Sequence, residues 1–194
     1  MIRWLPSIIL RLALCLVLTG QAHAADAAIV AVASLTDPAK LATLQGERAA
    51  NRRVLKCVFW LNDARARGLV PAIVIADAQK LNLSAEQLRA PLVESALLRN
   101  LDIAEKLGCL TPENLDRMRH GISPVISRGP YTGERAEVDH IVPIAVEPAL
   151  GNEIANLELL PSTLNRRKGA SMGERQRSYL EKFRSLNLIE KVAP

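Results

Sequence analysis

The sequence predicts an α+β fold, in which a mostly helical region over residues 25–121 precedes a small strand–loop–strand–helix unit within residues 122–194. Apolar residues recur with helical spacing up to Gly121. The segment that follows is rich in residues that interrupt a helix, namely Pro124, Gly129, Pro130 and Gly133. Two short, extended apolar runs come next, and a helix start lies directly behind the second of them.

The first 24 residues have the features of a secretory signal peptide. Two arginines precede an apolar run over residues 12–18, and the segment ends in the small-residue pattern Ala22-His23-Ala24. We expect cleavage near Ala24, so that the exported protein works in the periplasm or outside the cell. No later stretch of the sequence approaches the roughly 18 apolar residues of a membrane-spanning helix. We therefore expect no stable membrane span in the mature protein.

Export affects the interpretation of the cysteines. Cys15 is removed with the signal peptide, and Cys57 and Cys109 remain. Two cysteines in an oxidising compartment predict one disulfide, and two buried, unpaired thiols are the alternative. The chain has no Cys-x-x-Cys pair, so a cysteine-based zinc site is not expected.

Start and stop signals divide the first region into several helices. Five helices are predicted. The first begins at Asp37-Pro38, the second runs from Glu47 to Arg67 and stops at Gly68, and the third runs from Pro71 to Leu81. The fourth runs from about Ser84 to Leu107, and the fifth runs from Thr111-Pro112 to near Gly121. Nothing in these helices resembles a catalytic constellation, so we interpret them as a structural support.

The second region reads as strand, loop, strand and helix. Residues 136–142 form the first extended run, a loop with Pro148 and Gly151 follows, and residues 156–160 form the second run. The sequence Pro161-Ser162-Thr163 then begins a helix that carries residues 165–168.

Side chains that could act as a base, as metal ligands or as phosphate contacts are concentrated in this unit. His140 can take a proton from water near neutral pH. Asp139 and Asn165 offer hard oxygen ligands, which favour Mg²⁺ or Mn²⁺ over Zn²⁺. Three consecutive cations directly after Asn165 are suited to contacts with phosphate groups: Arg166, Arg167 and Lys168. Aromatic residues make up only 3% of the chain, which argues against a stacking platform for single-stranded nucleic acid.

In this order and spacing, Asp139-His140, Asn156 and Asn165 resemble the motif of the His-Asn-His (HNH) endonuclease superfamily, whose catalytic unit is a ββα-metal fold. The resemblance covers residues 137–169. Asn165 stands where the name-giving pattern has its last histidine, as in the Asp-His/Asn/Asn variant found in the nuclease domain of CRISPR effectors. The resemblance implies that His140 is the general base and that Asn156 braces the loop that orients it. It also implies one Mg²⁺ ion, with Mn²⁺ as the alternative, on Asp139 and Asn165.

The predicted function is an exported, metal-dependent endonuclease that hydrolyses phosphodiester bonds of DNA, with RNA as an open second substrate. A nucleic-acid-binding envelope protein that has the HNH fold but does not cut is the alternative. An envelope protein that carries this fold for stability alone is a third class, and it would have no need of His140.

Overall fold

The computed structural model describes residues 27–46, 48–82 and 88–189. The predicted signal peptide and its cleavage site near Ala24 lie outside the described residues, and so does Ser84. The fold is α+β and mostly helical, with a small two-stranded antiparallel sheet. Within the described residues, none of the helices combines the length and apolar character that crossing a membrane requires.

The predicted helices occur in the expected order along the chain, and a helix over residues 27–36, which was not predicted, precedes them. The helices are α1 (residues 27–36), α2 (Pro38–Ala42), α3 (Asn51–Ala66), α4 (Pro71–Leu81), α5 (Ala90–Lys106), α6 (Pro112–Arg119), α7 (Ser162–Lys168) and α8 (Glu174–Ser185). Asp37 caps α2, because its Oδ1 accepts hydrogen bonds from the backbone N–H groups of residues 39 and 40 at 2.9 and 3.4 Å. Helix α3 begins four residues later than predicted, since residues 48–50 form a turn.

The two strands are β1 (Ala136–His140) and β2 (Leu157–Pro161), paired so that His140 lies opposite Leu157 and Ala136 opposite Pro161. We predicted that the first strand would extend to Val142. It ends at His140 because the backbone of Val142 bonds to a side chain instead of a strand: the amide of Asn156 accepts from the Val142 N–H at 2.8 Å and donates to its carbonyl at 3.0 Å.

One face of this sheet packs on the helical region. The side chains of Ala136, Val138, Leu157 and Leu159 are buried in the same hydrophobic cluster as the core residues of α3, α4 and α5. The helical region and the strand–loop–strand–helix unit, between which the sequence predicted a boundary at residues 121 and 122, therefore share one hydrophobic core. Burial of this shared apolar surface is the main force that holds the sheet against the helices.

A second, smaller cluster joins the loop between the strands to the C-terminal helix. Val142, Leu150 and Ala155 of the loop are buried against Leu92 of α5 and a set of residues at the chain's end, namely Leu180, Phe183 and Ile189. Arg175 of α8 also forms a two-pronged ion pair with Glu158 of β2, one arm of which measures 2.8 Å between Nη1 and Oε1. Both contacts keep α8 against the strand–loop–strand unit.

The predicted disulfide is not present in the structure. Cys57 and Cys109 are free thiols, and both are fully buried. Burial raises the pKa of Cys57 to about 12 and that of Cys109 to about 11. Each sulfur is packed in the main core, where a cysteine behaves as a small apolar side chain. The structure thus contains the alternative arrangement, two buried and unpaired thiols.

Asparagine side chains from the helices satisfy backbone groups of the strands. Asn100 of α5 is fully buried, and its amide donates to the Leu157 carbonyl at 2.9 Å and accepts from the Leu159 N–H at 2.7 Å. On the other strand, the Asn51 side chain donates to the Val138 carbonyl at 2.7 Å. These bonds matter because buried backbone groups without partners are costly.

We predict that Asn100→Ala lowers the free energy of unfolding by about 1–3 kcal/mol, since it leaves the buried Leu159 N–H without a partner and leaves the Leu157 carbonyl with Arg99 as its remaining side-chain donor. Urea unfolding followed by circular dichroism measures this change. Ser95→Ala, at an exposed position of the same helix, is the matched control and should change stability by less than about 0.5 kcal/mol. Equal stability of both variants would contradict the role assigned to the Asn100 amide.

Candidate active site

Helix α7 is fixed on the outer face of the sheet by a carboxylate at its N-terminus. Glu134 accepts hydrogen bonds from the Thr163 backbone N–H at 2.9 Å, from the Ser162 hydroxyl at 3.1 Å and from the Thr163 hydroxyl at 2.9 Å. The bond from the Thr163 backbone contributes most to a lowered pKa of Glu134. A negative charge at a helix N-terminus is favourable, and these bonds set the direction in which α7 leaves β2.

Two pairs of side chains join α7 to β1. Glu137 and Asp139 are two residues apart on the strand and so lie on one face of it, and Asn165 and Lys168 are three apart on one face of the helix. The Asn165 amide nitrogen donates to Glu137 Oε2 at 2.8 Å. The Lys168 ammonium donates to Asp139 Oδ2 at 2.6 Å and to the His140 carbonyl oxygen. The hydrogen-bond partner of the Asn165 side chain is thus Glu137.

The bond to Glu137 determines which way the Asn165 amide points. An ionised carboxylate only accepts hydrogen bonds, so the NH₂ group of Asn165 must face Glu137. Its carbonyl oxygen, Oδ1, therefore points away from that carboxylate and can serve as a ligand. Sequence reasoning missed Glu137, although the two-residue period of a strand places it on the same face as Asp139.

His140 lies on the opposite face of β1 from Asp139, at the end of the strand. Its side chain is buried, with 3% of the residue's surface exposed, and its Nε2 is 2.8 Å from the carbonyl oxygen of Gly151. A carbonyl oxygen accepts hydrogen bonds only, so Nε2 carries the proton. In the neutral imidazole, Nδ1 is then the nitrogen with a lone pair, and it is the atom that can accept a proton.

Burial and nearby charges adjust the basicity of this imidazole. Burial lowers the pKa of His140, whereas the bond to Gly151 and the charge of Asp139 oppose that effect. The positive charges of Lys168 and Arg48 lower the pKa further. The resulting pKa lies below the usual histidine value, so the imidazole is neutral at neutral pH, with Nδ1 as its unprotonated nitrogen.

Asn156 bonds to the residues that directly follow His140 and does not reach the surface. It is fully buried, and its amide makes the two bonds to Val142 described above, together with a longer one to the Leu150 carbonyl at 3.4 Å. Its backbone carbonyl accepts from the Ile141 N–H at 2.7 Å. Asn156 thereby connects the residues directly after His140 with the end of the loop that carries Gly151.

The basic cluster divides into two parts. Arg166 and Arg167 are exposed, and Arg166 donates to the Thr163 hydroxyl at 3.2 Å. The side chain of Lys168 is only 14% exposed because it contacts Asp139. Arg48, an exposed residue before α3, adds another positive charge near His140. No local signal could have identified Arg48, because it lies far from the motif along the chain.

Oxygen atoms are the donors that this site could offer to a metal. Among residues 27–46, 48–82 and 88–189, no three His, Cys, Asp or Glu side chains cluster closely enough to hold a metal ion. The candidate ligands are the two predicted from the sequence, the Asp139 carboxylate and the Asn165 amide oxygen, and the bond to Glu137 holds the amide nitrogen of Asn165. Such a set, completed by water and phosphate oxygens, fits Mg²⁺ or Mn²⁺ better than Zn²⁺.

We predict that the two described histidines have opposite neutral tautomers. His140 should be protonated on Nε2, whereas exposed His120, whose Nδ1 is 2.8 Å from the Asp116 carbonyl oxygen, should favour the proton on Nδ1. Imidazole ¹⁵N spectra above neutral pH, assigned with His140→Gln and His120→Gln variants, report the tautomers. An Nδ1-protonated His140 would contradict the orientation of the proposed base.

Comparison with protein-family models, with curated proteins and with solved structures found no match to this chain. The chemistry of the site therefore has to be inferred from its residues: a neutral, anchored imidazole on one side of β1 and oxygen donors with lysine and arginine cations on the other.

Proposed function

We propose that the chain is an exported, metal-dependent endonuclease of the HNH type that hydrolyses phosphodiester bonds of DNA, with RNA as a second possible substrate. The observation that carries this proposal is the position of His140. Its Nε2 is held by Gly151, its Nδ1 is left basic, and it follows directly on Asp139, whose side chain lies beneath α7. Export rests on the sequence pattern of the first 24 residues.

His140 is assigned as the general base. Nδ1 takes a proton from the attacking water while the bond from Nε2 to Gly151 keeps the ring from rotating. The lowered pKa of His140 keeps the base unprotonated at neutral pH. Asn156 acts indirectly. Its amide bonds to the backbone of Val142 and so connects the end of β1 with the end of the loop that carries Gly151, whose carbonyl anchors His140.

Asp139 and Asn165 are assigned as the residues that hold the divalent ion. When bound there, Mg²⁺ would act as a Lewis acid toward the phosphate and neutralise charge on the leaving oxygen. Glu137 positions Asn165 by holding its amide nitrogen, so that the oxygen and not the NH₂ group is presented.

Exposed arginines next to these residues would hold the nucleic acid. Arg166 and Arg167 occupy the last turn of α7, beside the candidate metal ligands, and Arg48 approaches from the helical region. Contacts of this kind bind phosphates without reading the base sequence. The competing function is a nucleic-acid-binding envelope protein that does not cut, and it would use the arginines without needing a neutral, anchored His140.

We predict that cleavage of plasmid DNA requires Mg²⁺ or Mn²⁺ and stops in excess chelator, because Asp139 and Asn165 are hard oxygen donors. Zn²⁺ should support cleavage poorly. Gel analysis of plasmid incubated with chelator-treated protein and each added ion measures this dependence. Undiminished cleavage in excess chelator would exclude the proposed role of the metal.

A pair of substitutions separates catalysis from binding. His140→Ala should lower the cleavage rate by about 10²–10⁴-fold, as expected for loss of a general base, and leave DNA affinity nearly unchanged. Replacing both Arg166 and Arg167 with alanine should instead weaken binding and reduce the slope of log affinity against log salt by about one unit per lost phosphate contact. Initial cleavage rates and fluorescence anisotropy at several salt concentrations give the two quantities.

His120→Ala is the matched control, because it removes an exposed histidine at the end of α6. It should cut and bind as the unmodified protein does. Wild-type cleavage by His140→Ala would mean that His140 is structural. Binding without any cleavage by the unmodified protein, whatever divalent ion is added, would favour the binding protein.

A further inference from the structure

Lys168 differs from its two arginine neighbours in what it contacts. Its ammonium is 2.6 Å from Asp139 Oδ2 and also donates to the His140 carbonyl. The two side chains of this ion pair are 14% and 20% exposed, so the pair is partly shielded from solvent. An ammonium with three donors, held by a carboxylate and a carbonyl, occupies the kind of oxygen environment that a metal cation prefers.

We propose that Lys168 is a tethered cation that neutralises Asp139 in the metal-free protein, and that a divalent ion has to displace it in order to bind. This inference rests on the proposed function in one respect, the assignment of Asp139 as a metal ligand. It changes the role of Lys168, which the sequence grouped with Arg166 and Arg167 as a phosphate contact.

An ion bound to Asp139 Oδ2 would compete with the Lys168 ammonium for that oxygen. Mg²⁺ lies about 2.1 Å from an oxygen ligand. With the ammonium 2.6 Å from the same carboxylate oxygen, the two cations would be less than about 5 Å apart, where like charges repel strongly in a partly buried site. The ammonium also keeps Asp139 from being an uncompensated charge when no metal is present. Once displaced, Lys168 is free to contact a phosphate of the substrate.

Binding of Mn²⁺ in the absence of nucleic acid tests this proposal, because it does not depend on cleavage. Lys168→Met removes the charge and keeps a long, flexible side chain, and it should bind Mn²⁺ about tenfold more tightly than the unmodified protein, as expected when a cation close to the site is removed. Isothermal titration calorimetry at constant ionic strength measures the affinities. Lys168→Gln provides a second neutral variant, and circular dichroism verifies that both are folded.

Arg167→Ala is the control for net charge. It removes one positive charge from the neighbouring, exposed position without removing a contact to Asp139, and it should change Mn²⁺ affinity by less than about twofold, because exposed charges are screened. Unchanged or weaker Mn²⁺ binding by both Lys168 variants would overturn the proposal. An equal gain in Lys168→Met and Arg167→Ala would overturn it as well, since only net charge would then matter.

Asp139→Asn distinguishes failure of this inference from failure of the proposed function. If the unmodified protein binds Mn²⁺ and Asp139→Asn does not, the metal site stands, and the Lys168 variants alone decide the role of the lysine. If Mn²⁺ binding is absent or does not depend on Asp139, the metal assignment is wrong and the competition proposed for Lys168 is overturned with it.

Discussion

The hydrogen bonds from Asn100 to the second strand are the constraint that fixes where the sheet lies on the helices, and the geometry of the candidate site depends on that position. A sheet of two strands has no central strand, and an isolated pair of strands is marginally stable in water. Here the Asn100 amide satisfies two backbone groups of β2, and Asn51 satisfies one of β1. Both come from the helical region, so the helices determine where the strands lie as well as covering their apolar face.

From this position of the sheet, the alternation of side chains along β1 produces the two sides of the site. Val138 and His140 point toward the helices, and Glu137 and Asp139 point toward α7. The buried side provides an anchored imidazole whose pKa is lowered by desolvation. The outer side provides oxygen donors within reach of solvent. A single short strand thus separates the candidate base from the candidate metal ligands.

The charges around the sheet are paired so that two opposed carboxylates are tolerated. Asp139 and Glu158 lie directly opposite each other in the register, where like charges would be destabilising. Each has its own cation: Lys168 for Asp139, and Arg175 for Glu158, whose bond raises the pKa of Arg175. Arg175 thereby connects α8 to a buried carboxylate.

The sequence by itself determined the order of the elements and the residues of the motif, because both depend on local signals. Apolar periodicity and turn residues predicted α2 to α7 and the two strands, although they did not predict α1, and Asp139-His140, Asn156 and Asn165 lie within one short segment. Only the tertiary structure decided that Asn100 meets β2, that the two cysteines remain separate and that Lys168 pairs with Asp139. These contacts join segments far apart in the chain or depend on the direction in which α7 leaves the sheet. A pattern of residue types indicates which face of an element is apolar, but it does not indicate which other element packs against that face.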